Sequence, residues 1–197
     1  MSVEAPHAPT HELNTVRPSV RAASVGLAKR NIRGIRRLPS AFLPSLVMPV
    51  FQAIAFSGSF FAITQIPGFP TDRSINWFMP LAILMGSGFA GVGIGLAAIR
   101  DIETGFYDRL RLAPAPRTSL ITGPLLGALG RSFVVTTLVL TVGVLLGARW
   151  NHGVLSVVPL YVAGLGIAAA GTGWGLGLAY RFRDMRAAAL MQLTLFI

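Results

Sequence analysis

Apolar residues in this chain do not alternate with polar ones at the period of a strand. They come in long blocks. AFLPSLVMPVFQAIAFSGSFFAI fills 41–63, WFMPLAILMGSGFAGVGIGLAAI fills 77–99, a third block lies within 118–148, and VLSVVPLYVAGLGIAAAGTGWGLGLA fills 154–179. A fifth starts near Ala187 and reaches Ile197. A helix needs about 20 apolar residues to cross the hydrocarbon core of a bilayer. Nothing shows the alternation of a membrane barrel, so helices are the only spans available. The pattern predicts an all-α, polytopic membrane protein with spans over about 41–63, 77–99, 132–148 and 154–179, and the beginning of another over 187–197.

Arg131 interrupts the third block. Starting the span just after it leaves 132–148, the short end of the spanning range. The arginine head then sits at the headgroups with its stem in the apolar layer, and 118–130 becomes an interfacial or partly inserted helix. The alternative is an arginine buried in the bundle and lining a polar path.

Charge sorts the connections into two kinds. Residues 1–40 hold seven Lys or Arg, 100–131 hold five, and 180–186 hold three; the other two connections hold Arg73 and Arg149 alone. The basic connections alternate with the neutral ones, as a serpentine chain requires. The positive-inside rule then puts the N-terminus and 100–117 in the cytoplasm. The same rule accounts for the net charge of +10 without nucleic acid as a partner. A hydrophobic fraction of 53% and a mean hydropathy of +0.64 agree with a lipid bilayer as the surroundings. Residues 1–16 are polar and read as a disordered tail. In 17–38, seven basic residues mix with Ile32, Ile35 and Leu38 at helical spacing. This predicts a basic amphipathic helix on the membrane surface, with a solvated tail as the alternative.

The segment RDIETGFYDRLRLAPAPR at 100–117 is dense in charge between two greasy blocks. A helix over 101–112 puts Ile102, Phe106 and Leu110 on one face. Asp101 suits its N-cap, Arg109 and Arg111 suit its C-terminal end, and Pro114 and Pro116 stop it. Such a helix can carry a push from a soluble protein into the spans on either side; it can equally be an inert interfacial loop. Pattern alone leaves both open.

Glycine is frequent within the blocks. Gly91 with Gly95, Gly171 with Gly175, and Gly173 with Gly177 are small-xxx-small pairs that let helices approach closely. GVGIGLA is therefore read as packing, not as a dinucleotide loop. The few polar residues within the blocks, Gln52, Ser57 and Thr136, join Arg131 as candidates for a substrate path. There is no cysteine, and His7, His11 and His152 are scattered, so neither a metal site nor a catalytic set is expected.

The 100–117 segment resembles the cytoplasmic helix of type-2 ABC exporter permeases, in which an acidic-then-Gly stretch, a Leu, a Pro and an Arg lie between the second and third spans. Glu103, Thr104, Gly105, Leu110, Pro114 and Arg117 match. The run RRLPSAFLPSLVMPVFQAIAFSGSF resembles the same family's approach to its first span. The relatives it most resembles are the daunorubicin-resistance-type efflux permeases, and the likeness runs from about Arg30 to Arg186.

The resemblance implies a permease that pairs with a second permease, as a homodimer or with a paired chain, and with two copies of a separate cytoplasmic ABC ATPase. It implies that Asp101, Glu103, Gly105, Phe106, Arg109, Leu110, Pro114 and Arg117 receive the ATPase. It also implies export of a hydrophobic or amphipathic substrate across a bacterial plasma membrane. That family has six spans, so the chain is expected to be a fragment or a truncated product that stops inside the fifth.

No GxxxxGK(S/T) motif is present, so ATP and Mg are left to the partner, and the chain by itself is expected to be no enzyme and to bind no cofactor. The blocks contain no Asp, Glu or Lys, which weighs against a proton- or sodium-coupled carrier. An ATP-independent carrier or channel, and a non-transporting membrane anchor, are the alternatives.

Overall fold

The structure, a computed structural model, describes residues 19–37, 39–112, 116–149 and 153–193. The tail 1–16, Pro114 and the last residues of the fifth block lie outside this range. Every regular element is helical: α1 (Val20–Arg37), α2 (Pro39–Ser59), α3 (Ser74–Glu103), α4 (Phe106–Leu112), α5 (Ser119–Leu145), α6 (Val157–Phe182) and α7 (Arg186–Leu193). Short 3-10 turns at Phe61–Gln65 and Gly153–Ser156 follow α2 and precede α6.

Among the described residues three helices, α3, α5 and α6, are long and apolar enough to cross a membrane, and Leu46–Ser59 of α2 is a shorter apolar helix. At 1.5 Å per residue, α3 is about 45 Å long against a hydrocarbon core of about 30 Å. The helix is thus longer than the layer, and its final turn carries Arg100, Asp101 and Glu103. Pro39 stands at the first position of α2, where its missing N–H costs nothing.

α3 is the central post. α6 crosses it closely because glycines face each other. A β-carbon added at Gly91 would lie 2.5 Å from the carbonyl oxygen of Ala168, and one at Gly95 would lie 2.5 Å from the carbonyl carbon of Gly175. α5 closes the third side: Ser132 Oγ donates to Ser87 Oγ of α3 at 2.9 Å in a buried contact. In lipid, where apolar burial between helices gains little, close backbone approach and such hydrogen bonds are what hold helices together. At the end away from the arginine-rich connections, Ala53, Met79, Ile83, Val135 and Val139 form the apolar core. There Arg73 Nη1 donates to the carbonyl of Gly147 at 2.6 Å, and Asn76 exchanges hydrogen bonds with the backbone of Arg149. These contacts tie the start of α3 to the end of α5.

Three expectations change. First, α5 is one continuous helix through Arg131, with no interfacial helix ending at 130. The reason is α1, which packs along the first half of α5. Arg131 Nη2 donates to the carbonyl oxygen of Asn31 at 3.2 Å, so the guanidinium meets protein and not headgroups. Second, α1 docks through Ser24 and Ala28, both buried, with Leu27 and Asn31 seated over Gly123 and Gly127; Ile32 remains half exposed. Ser24 Oγ and Thr122 Oγ1 share a hydrogen bond of 2.6 Å across this contact. Ile32 lies at the edge of this contact, its Cδ1 3.5 Å from where a β-carbon at Gly130 would stand. Ser19 caps α1, its Oγ accepting from the N–H of Ala22 at 3.2 Å.

Third, 101–112 is not one helix. Asp101 and Glu103 finish α3, and α4 begins at Phe106. Gly105 has φ +67°, the left-handed value that stops a helix. Its N–H donates to the carbonyl of Ile102 at 3.0 Å, while Thr104 Oγ1 donates to that of Arg100 at 2.9 Å. Asp101 is thus the end of a span and not an N-cap.

Candidate coupling corner at the basic end

The α3–α4 corner is a turn with both arms anchored. Arg30 of α1 reaches Asp101 with both guanidinium nitrogens: Nη1 donates to Oδ2 at 2.8 Å and Nη2 to Oδ1 at 2.6 Å. Its Cζ also lies 4.1 Å from the centre of the Phe106 ring. One side chain therefore holds the last turn of α3 and the first residue of α4. The fork geometry and the ring stacking are both specific to arginine. The hydrogen bonds to Asp101 raise the Arg30 pKa above its ordinary value, outweighing the opposing effect of partial burial. On the other arm, the rings of Tyr107 and Tyr180 meet at 5.3 Å, tying α4 to the end of α6.

With Phe106 and Tyr107 turned inward, Glu103, Thr104, Asp108 and Arg109 are exposed. Ile102 and Leu110 are partly buried, as their shared apolar face requires. Arg117 sits at the exposed turn before α5, where the carbonyl of Pro116 accepts from both the N–H and the Oγ of Ser119. The corner thus gathers Asp101, Glu103, Gly105, Phe106, Arg109 and Leu110, with Arg117 beside them; Pro114 lies outside the described residues. Arg30 was not singled out from the sequence. It is one of seven basic residues before the first block, and its partner is 71 positions away.

Because Gly105 meets nothing within 4 Å, its conformation, not space, limits substitution. Gly105→Ala is expected to cost about 1 kcal/mol through the left-handed φ, whereas Gly105→Asn should recover most of it. Thermal unfolding of the two variants in detergent checks this; equal midpoints would show that the corner is not held at that φ.

The glycines sit as described between α3 and α6: Gly91 and Gly95 on one helix, Gly171 and Gly175 on the other. The four path candidates do not converge. Gln52 and Ser57 belong to α2, and the Ser57 carbonyl accepts from Ser74 Oγ. Thr136 is 1% exposed, packed among α3, α5 and α6, and Arg131 faces α1.

A helical bundle with several membrane-crossing helices and a polar corner between two of them is a polytopic membrane protein of transporter type. The chain belongs to the ABC-2 type transporter family, whose model matches residues 25–197. It is also similar to the daunorubicin resistance ABC transporter permease protein DrrB1 of Streptomyces coeruleorubidus, with 26% identity over 132 residues. That match covers 66% of this chain and 44% of the relative, so the chain spans less than half the length of the relative it matches. No solved structure matches.

Proposed function

We propose that the chain is the membrane permease part of an ATP-driven exporter. Its basic end lies in the cytoplasm, and a separate ABC ATPase presses on the α3–α4 corner. The observation that carries this is the corner itself: anchored by Arg30 and Tyr180, it leaves Glu103, Asp108 and Arg109 exposed. A force on those side chains passes into α3, and from α3 to α6 through the glycine contact, without bending a loop first. A second permease copy completes the translocator in this reading, in a bacterial plasma membrane. The apolar, glycine-rich helices and the name of the relative both favour a hydrophobic or amphipathic drug-like cargo.

The chain has no native cysteine, so single cysteines report cleanly. Glu103→Cys and Arg109→Cys are expected to cross-link to the co-expressed ATPase in native membranes, while Leu145→Cys at the opposite end does not. Absence of any cross-link from either corner position would remove the reading. Glu103→Arg is expected to lower ATP-driven efflux about tenfold, equivalent to about 1.4 kcal/mol in the driven step, with unchanged amounts of protein in the membrane.

A further inference from the structure

On the side of α4 away from α1 lies a cavity of about 620 Å³, walled by α4, the start of α5 and the end of α6. Three arginines line it, Arg111, Arg117 and Arg183, with Asp108 as the single acidic residue. Among the described residues none of the three guanidinium groups has a carboxylate partner, and the bidentate pair of this end is the one between Arg30 and Asp101. The rest of the wall is of two kinds. Tyr107 and Tyr180 present aromatic rings with phenol oxygens, and Leu112 and Ile121 present apolar side chains, Leu112 being 87% exposed.

We infer that this cavity holds the phosphate headgroup of an anionic phospholipid from the cytoplasmic leaflet. Unpaired arginine forks match phosphate oxygens in geometry and charge. Tyrosines prefer the depth of the headgroups, and exposed leucine and isoleucine side chains match acyl chains, not water. A free phosphate would use the arginines and leave the apolar wall wet; a lipid satisfies both. The backbone supports the placement, because Arg183 ends α6 in the left-handed conformation, φ 54°. That turn puts a basic side chain on the cavity wall at a position where most residues are strained. This site goes beyond the exporter reading and rests on that reading only for the orientation that puts the basic end at the cytoplasmic leaflet.

The test uses the whole chain in nanodiscs of phosphatidylcholine with a minority of phosphatidylglycerol, and native mass spectrometry of the lipid that stays bound after release. Phosphatidylglycerol is expected to be enriched over its bulk share. The triple variant Arg111→Gln, Arg117→Gln, Arg183→Asn should bring the lipid back toward its bulk share, a loss of up to about a hundredfold for three arginines near a membrane surface. Asparagine is chosen at Arg183 because it tolerates the left-handed turn. Arg111→Lys with Arg117→Lys keeps the charge and should keep most of the bound lipid, which separates loss of the site from loss of the fold. Removing the outer basic face of α1 with Arg21→Gln, Lys29→Gln and Arg33→Gln should leave the retained lipid unchanged. Equal loss in that variant would reduce the effect to general surface charge and overturn the site. So would displacement of the lipid by excess inorganic phosphate, which would mark a free-anion site. Loss of the lipid when the partner ATPase binds would mark a protein-docking groove and overturn it too.

Discussion

Gly95→Ala is expected to lower the unfolding midpoint by several degrees. The new β-carbon would sit 2.5 Å from the carbonyl carbon of Gly175 and 2.6 Å from its Cα and carbonyl oxygen. All three are backbone atoms of a packed helix, so no side-chain rotation relieves the clash. Either α3 and α6 separate along their whole contact or the helices deform. Overpacking of this kind costs about 1–3 kcal/mol, and the upper end applies where backbone must move. Gly91→Ala should behave alike, since its β-carbon would lie 2.5 Å from the carbonyl oxygen of Ala168. Gly173→Ala and Gly177→Ala are the controls: nothing lies within 4 Å of either position, so the midpoint should stay or rise slightly. Melts followed by circular dichroism at one fixed scan rate compare the four, because membrane-protein unfolding is commonly irreversible. If Gly95→Ala melts with the unaltered protein, the α3–α6 crossing described above is wrong.

The contrast between those glycines shows what the sequence could reveal. Gly171–Gly175 and Gly173–Gly177 are equally good small-residue pairs on one helix, and spacing alone allows either to be the contact. Burial decides it: Gly175 is inside and Gly173 faces out. The choice depends on how α6 is rotated about its own axis, which is set by the glycines of α3 and by Thr136 and Ser87 against Gly164. The existence and type of the long helices were legible because apolar length is a one-dimensional property. The break at Gly105 was half legible. Glycine marked a special residue, but Ile102, Phe106 and Leu110 completed a helical stripe across it, so the segment read as continuous. The sequence pattern does not report φ, and one left-handed residue turned one helix into two.

The helix at α1 was legible, but its docked face and the start of α5 were not, for a shared reason. A charged residue inside an apolar block reads as a boundary unless something covers it. Arg131 is covered by the carbonyl of Asn31, 100 positions earlier, so neither segment alone shows why α5 continues. In the same way α1 offered two faces. The isoleucines were the conspicuous one, but Ser24 and Ala28 form the buried one. Complementarity between two segments is invisible in either one.

The Arg30–Asp101–Phe106 clasp is the clearest instance, and breaking it should have the largest functional effect. Asp101→Arg sets a second guanidinium against Arg30 and removes the acceptor of both hydrogen bonds. α1 then loses its hold on the corner, and in the exporter proposed above a push on Glu103 is absorbed by motion of α4. ATP-driven efflux is expected to fall about tenfold or more, a change of about 1.4 kcal/mol or more in the driven step. Arg30→Asp placed in the same chain should restore at least half of the loss, because the charges are again opposite. The pair is partly exposed, with 45% of the Arg30 side chain and 27% of the Asp101 side chain accessible, so its contribution to folding is modest, about 1 kcal/mol in a double-mutant cycle. The functional loss should therefore exceed the stability loss, which distinguishes a force-bearing clasp from a merely structural one. Arg30→Lys should fall between, keeping the charge but losing the fork and the stacking on Phe106.

The sign of the pH dependence follows from the arginine. Its folded-state pKa is raised, so its contribution is fully present below the unfolded value and is lost only as the pH climbs through the folded one. Arg30 therefore introduces no titration of the clasp near neutral pH. A cysteine at Ala28, buried on the docked face of α1, supplies the direct readout. Its labelling by a water-soluble maleimide should rise in Asp101→Arg and return in the double variant. Labelling that stays at the background rate in Asp101→Arg, with efflux lost all the same, would show that Asp101 does not act by holding α1 to the corner.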